Sequence, residues 1–289
     1  SARDASLAGT ASFTLTVTPV NAAPVVDTIA DQAIDEDSSL TLTLSASDVD
    51  GDALAFSAES NGNADISVDG STLTVTPDQD YNGEVVVDVV VTDGTLSDST
   101  SFTLTVNPVN DAPVLDALVD AATDEDTAYS VDLSSSDVDG DTVTYSASVS
   151  SGSSSVDGST LTVTPAADYN GDVTVSVTAS DGSLTDSGSF TLTVNAVNDA
   201  PVVDAIADQA IDEDSSLTLT LSASDVDGDD LTFSASADNA SVSVTGDSLT
   251  VTPPEDYNGL VSVDVVVTDG NLSDSTSFTL TVNPVNDAP

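Results

Sequence analysis

The chain has 289 residues, of which one is basic and 51 are acidic, so its formal net charge at pH 7 is −50. With almost no cation to contact a phosphate, it is expected to bind no nucleic acid and to insert into no membrane. The absence of cysteine and histidine excludes disulfides, zinc–thiolate sites and imidazole catalysis. Apolar residues make up 39% of the chain and alternate along it, which favours packed strands over disorder.

The first residues have the pattern of a repeat's end. The segment SLAGTASFTLTVTPVNAAP (6–24) aligns with TLSDSTSFTLTVNPVNDAP (95–113), which contains a strand and a linker. We therefore predict that 1–23 is the last strand and linker of an upstream repeat, in a portion of a longer array. An alternative is donation of this strand to a neighbouring subunit, although the third repeat already has its own last strand.

The motif VNDAP recurs with a period of about 90 residues, which suits one small β-sandwich per repeat. It lies at 109–113, 197–201 and 285–289, with the variant VNAAP at 20–24. DYNG follows the same period, beginning at Asp80, Asp168 and Asp256. The predicted domains are repeat one (24–110), repeat two (111–198) and repeat three (199–289).

Strands within a repeat are predicted from apolar residues at every second position. In repeat one this alternation covers 40–46, 72–76, 85–91 and 102–106, as in half-buried antiparallel strands. Shorter candidates lie at 25–29, 54–58 and 65–68. Seven strands per repeat and no amphipathic helix predict an all-β fold of tandem seven-stranded Greek-key β-sandwiches arranged head to tail.

A tyrosine precedes the long sixth strand of each repeat, at Tyr81, Tyr169 and Tyr257. Its hydroxyl is expected to bond to nearby backbone, as at the corner of many sandwiches. The alternative is that the tyrosine is simply an aromatic side chain of the core. Both interpretations are structural.

The acidic motifs fall in loops at the two ends of each predicted sandwich. The loops after the first and fifth strands and the linker after the seventh lie at one end, whereas the loops after the second and sixth strands lie at the other. Head-to-tail stacking would then bring together two sets of acidic and amide residues. The first set is Glu36, Asp80, Asn110, Asp111, Asp137, Asp139 and Asp181; the second is Glu125, Asp168, Asn198, Asp199, Asp225, Asp227 and Asp269. Asp48, Asp50 and Asp93 form the N-terminal half of such a set.

Carboxylates gathered in this way repel one another unless a cation lies between them. Oxygen ligands without histidine or cysteine favour Ca²⁺ over zinc or copper. The alternative is that SDVDGD is only a turn, because Asp-Gly forms turns without metal. Repeat two changed much of its surface but retains TDED, SDVDGD, DYNG and SDG, whereas Ala166 replaces Asp78 and weakens that position as a ligand. An EF-hand loop is rejected, since Ala53 stands where its sixth-position glycine belongs and no helix flanks the motif.

Two longer stretches carry a family resemblance. AIDEDSSLTLTLSASDVDGDALAFSA resembles the opening half of an extracellular cadherin repeat, and VVVTDGTLSDSTSFTLTVNPVNDAP resembles the closing half. The resemblance covers residues 24–289 as three Ig-like sandwiches, and it is similar to bacterial cadherin-like repeats of long surface and adhesion proteins. It implies up to three Ca²⁺ ions at each junction, which would rigidify the array.

The resemblance also assigns positions. Glu36 and Glu125 match the glutamate before the second strand, and Asn110, Asp111, Asn198 and Asp199 fall in the linkers. Asp137, Asp139, Asp225 and Asp227 match the paired aspartates of the DxD loop, and Asp181 and Asp269 match the aspartate before the last strand. The linker is shorter than in the family, and Ala22 replaces its aspartate at the N-terminal linker, where a weaker site is expected.

We therefore expect a non-enzymatic structural repeat region of a bacterial cell-surface adhesin or extracellular filament, stiffened by Ca²⁺. Its expected partners are neighbouring repeats of the same chain or filament, with cell-surface or matrix ligands as further candidates. One alternative is a self-assembling filament subunit joined by donation of the N-terminal strand. A carbohydrate-binding module of a secreted enzyme is another, which the 4% aromatic content disfavours.

Overall fold

The computed structural model describes residues 10–286 of the chain. All regular secondary structure within that range is β, in strands numbered β1 to β27, which confirms the predicted all-β class. Within the same range, no helix is long and apolar enough to cross a membrane. The chain divides into two compact units, Ser1–Asp111 with Val138–Asp141, and Ala112–Asp137 with Thr142–Pro289.

Repeat one, in the first unit, folds into two facing sheets and one short strand pair. Its strands are β1 (Val25–Val26), β2 (Gln32–Asp35), β3 (Leu40–Thr43), β4 (Ala46–Ser47), β5 (Ala55–Ser60), β6 (Ala64–Asp69), β7 (Thr72–Pro77), β8 (Gly83–Thr92) and β9 (Ser97–Asn107). They form a four-stranded sheet β2-β9-β8-β5, a three-stranded sheet β3-β7-β6 and the pair β1-β4. Only β2 and β9 run parallel; the other pairs of this repeat are antiparallel.

Repeat two has the same sheets, β11-β18-β17-β14, β12-β16-β15 and β10-β13. Its strands are β10 (Val114–Leu115), β11 (Ala121–Asp124), β12 (Tyr129–Asp132), β13 (Ser135–Ser136), β14 (Thr144–Val149), β15 (Ser153–Asp157), β16 (Thr160–Thr164), β17 (Gly171–Ser180) and β18 (Thr185–Asn195). Repeat three forms β20-β27-β26-β23, β21-β25-β24 and β19-β22. Its strands are β19 (Val202–Val203), β20 (Gln209–Asp212), β21 (Leu217–Thr220), β22 (Ala223–Ser224), β23 (Thr232–Ala237), β24 (Ser241–Thr245), β25 (Ser248–Thr252), β26 (Gly259–Thr268) and β27 (Ser273–Asn283).

Nine segments per repeat replace the seven predicted strands because the first and second strands are each divided. The predicted strand at 25–29 is wrong in its second half: β1 ends at Val26, the chain crosses to the other sheet, and β2 pairs with β9. During the crossing Asp31 Oδ1 accepts a hydrogen bond from Thr103 N at 2.8 Å. The sequence QAID has only two apolar residues, too few for alternation to identify β2.

The core of each sandwich consists of the inward-facing residues of the long strands. In repeat one Val85, Val87, Val89 and Val91 of β8 have no exposed surface, and Leu104 of β9 is equally buried. Burying a valine side chain contributes about 1.5–3 kcal/mol, so this one strand face is a large part of the folding free energy. The predicted alternation is confirmed here.

The tyrosines of DYNG satisfy both structural interpretations. The Tyr81 ring packs against the core of repeat one, and its hydroxyl donates to the Glu84 carbonyl at 3.1 Å. Tyr257 likewise bonds to the Leu260 carbonyl at 2.8 Å. Gly83 has φ +138°, and a Cβ there would lie 2.9 Å from the Tyr81 hydroxyl, so the motif needs glycine below the ring.

Residues 10–23 form no strand, although their sequence matches a last strand. Phe13, Leu15 and Val17 are 90%, 76% and 78% exposed. Residues 1–9 lie outside the described range, and the assignment of 1–23 to an upstream repeat stays a prediction.

Candidate metal centre

The second linker, residues 196–201 between repeats two and three, lies beside a buried glutamate. β11 ends at Asp124, whose register partner in the parallel strand β18 is Asn195. Parallel pairing therefore places the residues that follow both strands at one end of the sandwich. Glu125 N donates to the Asn195 carbonyl at 2.9 Å, and Glu125 Oε1 accepts from Val197 N at 2.5 Å. Glu125 is only 4% exposed.

Two aspartates in the left-handed backbone region face each other next to this glutamate. Asp126 has φ 56° and Asp168 has φ 54°. Asp168 N donates to Asp126 Oδ1 at 3.3 Å. Aspartate tolerates this conformation better than most residues, because its short side chain can bond locally. The TDED and DYNG motifs are thus joined by a hydrogen bond.

The DVDGD loop of repeat three (225–229) supplies the opposite side. Asp225 Oδ1 accepts from Asp227 N at 3.0 Å and Gly228 N at 3.1 Å, so one carboxylate oxygen organises the turn. Asp227 Oδ2 accepts from Asp199 N at 2.8 Å. The loop and the second linker are therefore connected by a hydrogen bond from the linker backbone to a side chain of the loop.

Asp199 is the centre of the arrangement. Carboxylate oxygens of Glu125, Asp199 and Asp227 all lie within 4.8 Å of one another, and so do those of Asp126, Asp168 and Asp199. Asp168, Asp199 and Asp225 also line one open cleft. These two groups and the cleft together contain five acidic residues that were predicted from the sequence, and in addition Asp126.

The electrostatics of this centre are unfavourable for anions alone. Asp199 Oδ2 and Asp225 Oδ2 are buried and have no hydrogen-bond partner. Burial raises the pKa of Asp199, and the charges of Asp168, Asp227, Asp126 and Glu125 raise it further. The pKa of Asp229 is also raised, by burial and then by Asp225, Asp227 and Asp269. Such oxygens need a proton or a cation.

Asn198 and Asp269 meet in a hydrogen bond. Asn198 Nδ2 donates to Asp269 Oδ2 at 2.8 Å, and Asn198 Oδ1 accepts from Asn271 Nδ2 at 3.2 Å. Asp269 Oδ1 accepts from Asn271 N at 2.6 Å and Leu272 N at 2.7 Å. The Asn198 amide holds the pKa of Asp269 below its ordinary value, with help from these backbone groups. Asp269 therefore fixes the linker as well as contributing charge.

The first unit contains a matching centre around Asp111. Oxygens of Glu36, Asp111 and Asp139 form one group, and those of Asp37, Asp80 and Asp111 form another. Asp111 N donates to Asp139 Oδ2 at 2.8 Å, and Asp111 Oδ2 is buried without a hydrogen-bond partner. Burial, followed by the charges of Asp80 and Asp139, raises the pKa of Asp111.

The remaining members of the first predicted set are Asn110, Asp137 and Asp181. Asn110 Nδ2 donates to the Asp111 carbonyl at 2.9 Å. Asp137 and Asp181 belong to the second unit. Asp137 follows β13, and Asp181 Oδ1 accepts from Ser183 N at 2.5 Å and Leu184 N at 2.7 Å.

The N-terminal linker, residues 19–24, contacts the DVDGD loop of repeat one (48–52). Ala22 N donates to Asp50 Oδ2 at 2.8 Å, and Asn21 Nδ2 donates to Asp93 Oδ2 at 2.8 Å. Backbone bonding from Leu96, then the Asn21 amide, lowers the pKa of Asp93. Asp48, Asp52 and Asp93 place oxygens within 4.8 Å of one another.

Three acidic residues in these groups were not predicted as ligands: Asp37, Asp126 and Asp52. Asp37 and Asp126 are the last residues of the DED triplets of repeats one and two, and Asp52 closes the DVDGD loop. Their retention in every repeat was the available signal. Spacing alone did not reveal that Asp37 faces Asp80 across the end of the sandwich.

Family models match nearly all of the described chain. A bacterial Ig domain model matches residues 110–193 and 198–283, which is more than half of the chain. The chain belongs to the bacterial Ig domain family. A cadherin-like domain model matches residues 20–107 of this bacterial Ig protein, and this match confirms the resemblance predicted from the motifs. A search of curated proteins finds no match.

One of the similar solved structures, PcdhgB3 EC1-4, shares the fold of this bacterial Ig protein. PcdhgB3 EC1-4 gives a TM-score of 0.52 at 18% identity, covering 91% of this chain and 76% of that chain. Drosophila N-cadherin EC1-4 gives a TM-score of 0.39 at 16% identity, covering 90% of this chain and 75% of that chain. The endo-fucoidan hydrolase MfFcnA4 of glycoside hydrolase family 107 gives 0.30 at 21% identity, with 88% of this chain covered. This chain spans 43% of that hydrolase.

Proposed function

We propose that this chain is a non-enzymatic structural repeat region of a bacterial cell-surface adhesin or extracellular filament, stiffened by Ca²⁺ bound beside its linkers. The observation that carries the proposal concerns Asp199. Its Oδ2 atom is buried without a hydrogen-bond partner, and four other carboxylates surround it. Asp111 repeats the same arrangement in the first unit. An anion in such a place is stable only when a cation or proton offsets its charge.

The donor set fits Ca²⁺. Glu125, Asp126, Asp168, Asp199 and Asp227 offer only oxygen, and Ca²⁺ takes six to eight oxygen ligands in flexible geometry. Mg²⁺ demands a stricter octahedron and keeps more of its water. Glu36, Asp37, Asp80, Asp111 and Asp139 would hold an ion in the same way in the first unit.

Bound cations would cancel the repulsion between the acids of the second linker. The linker has few residues, and its backbone is already bonded to Glu125 and Asp227. Cancelling the repulsion would therefore narrow the range of orientations that repeats two and three sample. A stiff spacer that holds a distal binding domain away from the cell surface is the role that this behaviour serves.

The acidic composition supports an extracellular location. A chain with 51 acidic residues and one basic residue repels itself unless cations are abundant. Bacterial Ig and cadherin-like domains are typically extracellular and non-catalytic, which agrees with this setting. The neighbouring repeats are then the principal partners.

The test is small-angle X-ray scattering of the chain in EDTA and in about 2 mM CaCl₂, a calcium concentration on the order of that found outside cells. Calcium is expected to lengthen the maximum dimension and narrow the distance distribution, and to raise the melting temperature. Identical profiles and identical melting curves in the two buffers would contradict the proposal. MgCl₂ at the same ionic strength separates specific binding from screening.

A second candidate function is a filament subunit joined by strand donation. The exposure of Phe13, Leu15 and Val17 favours it, because they alternate like the inward face of a strand without lying in a sheet. Deleting residues 1–23 should then abolish concentration-dependent assembly in sedimentation velocity. Unchanged assembly after the deletion would eliminate this candidate.

A further inference from the structure

Repeat two differs from the other repeats around one cavity. The cavity has a volume of about 140 Å³ and lies between the segment joining β10 to β11 and strand β12. Tyr129 and Val131 line it, and repeats one and three have leucines at the same positions (Leu40, Leu42, Leu217 and Leu219). Asp132, which also lines it, stands where those repeats have Thr43 and Thr220.

The walls of the cavity are apolar and partly aromatic. The rings of Tyr129 and Phe190 lie 6.2 Å apart at 58° to each other. Leu118 and Val119 form another part of the lining, and Val119 is 77% exposed. An apolar surface therefore continues from the cavity to solvent. A cavity of about 150 Å³ holds a benzene-sized guest, so a guest of similar size fits here.

Asp116, Asp132 and Ser134 are also among the residues that line this cavity. The Ser134 hydroxyl donates to Asp116 Oδ2, and the Thr160 hydroxyl donates to Asp132 Oδ1 at 2.8 Å. An ionised carboxylate accepts about four hydrogen bonds, so both retain acceptor capacity. The only basic residue of the chain is Arg3, so residues 10–286, which the structure describes, contain no basic side chain. No cationic group among the described residues is available to these carboxylates.

We propose that this cavity binds the side chain of a lysine on a partner protein. The methylene stem would contact Tyr129, Val131 and Leu118, and the ammonium group would reach the carboxylate of Asp116. Beyond its Cα a lysine side chain has about five heavy atoms, which is close to the guest size above. The ammonium also gains from the nearby aromatic faces. The interaction needs no calcium and is independent of the proposed function.

The first experiment is an NMR titration of the whole chain in EDTA with n-butylammonium chloride. Amide shifts of Leu118, Val119 and Leu133 should change along a saturable curve. The matching amides of repeats one and three, which keep the leucines, should change only linearly. Equal saturable shifts in all three repeats would overturn the proposal, because they would reflect general attraction of cations to an acidic chain.

Two control ligands separate charge from hydrophobicity. n-Butanol has the same stem without the charge and should bind up to about five-fold more weakly, which is the upper end of the range for an exposed ion pair. Binding of n-butanol as tight as that of butylammonium would overturn the assignment of a cation. A short peptide with one lysine should bind, and the same peptide with Nε-acetyl-lysine should not. Failure of the lysine peptide would overturn a protein partner.

Variants taken from the other repeats complete the test. Tyr129→Leu with Val131→Leu restores the pair that repeats one and three already pack, so folding is expected to be kept. Binding of butylammonium should fall about ten-fold, as for lost contacts of roughly one or two methylenes. Asp132→Thr should weaken it about two-fold. Unchanged affinity in the leucine variant would overturn the site.

Discussion

The N-terminal linker and the second linker contact their DVDGD loops through the same bonds but differ in one carboxylate. Ala22 N donates to Asp50 Oδ2 at 2.8 Å, and Asp199 N donates to Asp227 Oδ2 at 2.8 Å. Asn21 and Asn198 also make equivalent bonds, to Asp93 and Asp269. Because alanine allows the same backbone contact, the side chain of Asp199 is not needed for it.

That carboxylate is costly where it lies. Burial and neighbouring acids both raise the pKa of Asp199, whereas the N-terminal linker adds no charge to Asp48, Asp52 and Asp93. The Asp199 carboxylate is not needed for the contact between linker and loop, and its charge is unfavourable by itself. Binding of a cation is the best explanation for its presence. The difference between the two linkers is therefore the strongest internal argument for a cation.

Replacing Asp199 should produce the largest effect. Asp199→Asn removes one charge that both acidic groups share, so Ca²⁺ affinity at the second linker should fall about ten-fold or more. Without calcium the variant should melt at a higher temperature than the parent, because repulsion is relieved. Titration and scanning calorimetry measure the two quantities. Asp157→Asn, an exposed acid on β15, is the matched control for net charge.

The sign change is the decisive feature of this experiment. A variant that is less stable in EDTA and binds calcium as tightly as the parent would show that Asp199 is a structural residue.

Truncating Glu125 should have the next largest effect. Glu125→Ala leaves Val197 N without its acceptor, and the loss of a hydrogen bond to a charged group costs about 1.5–3 kcal/mol. In contrast to Asp199→Asn, this destabilisation should appear with and without calcium. Hydrogen exchange at Val197 should become faster in both buffers. Glu125→Gln keeps the acceptor oxygen and should restore protection in EDTA; continued fast exchange would contradict this role.

The two linkers should also respond oppositely to acid in calcium-free buffer. The pKa of Asp199 is raised, so its contribution to stability is present below the unfolded pKa and is lost as pH rises through the folded pKa. The pKa of Asp93 is lowered, so its contribution is present above the unfolded pKa and is lost as pH falls through the folded one. Carboxyl ¹³C titration should give Asp199 a pKa above that of an ordinary aspartate and Asp93 a pKa below it. The reverse order would refute the electrostatic picture.

Adding the missing carboxylate should have the smallest effect. Ala22→Asp recreates the Asn-Asp sequence beside Asp48, Asp52 and Asp93 but supplies no counterpart of Glu125. Calcium affinity there should rise by about two- to five-fold, comparable to one exposed charge pair. NMR shifts of Gly51 and Gly94 follow this site separately, with Ala22→Asn as the uncharged control. Equal responses of the two variants would mean that the carboxylate is irrelevant at this linker.

Alternation predicted the sandwiches well because burial imposes a period of two on long strands such as β8. It could not predict the division of the first strand, since β1 and β2 are too short to show a period. That division determines which acids meet: the parallel pairing of β2 with β9 brings Asp35, and with it Glu36, beside Asn107.

The grouping of the acidic residues was predicted in outline but not in detail, for a similar reason. Loop counting placed Glu125, Asp168 and Asp199 together as ligands; their carboxylates do lie around Asp199, and their role as ligands stays a prediction. It could not show that Asp126 reaches Asp168, because both depend on left-handed backbone conformations. Nor could it distinguish Asp50, which accepts from the linker, from Asp52, which joins Asp48 and Asp93.

The parallel pair β2 and β9 has a mechanical consequence. In repeat one the chain passes through the short strand β1 into β2 and leaves the sandwich through β9, and β2 and β9 run side by side in register from Gln32 with Leu104 to Asp35 with Asn107. Tension applied along the chain would pull these strands in opposite directions along their length. Their hydrogen bonds would then share the load in shear and break together, whereas a pair pulled at one end would open bond by bond.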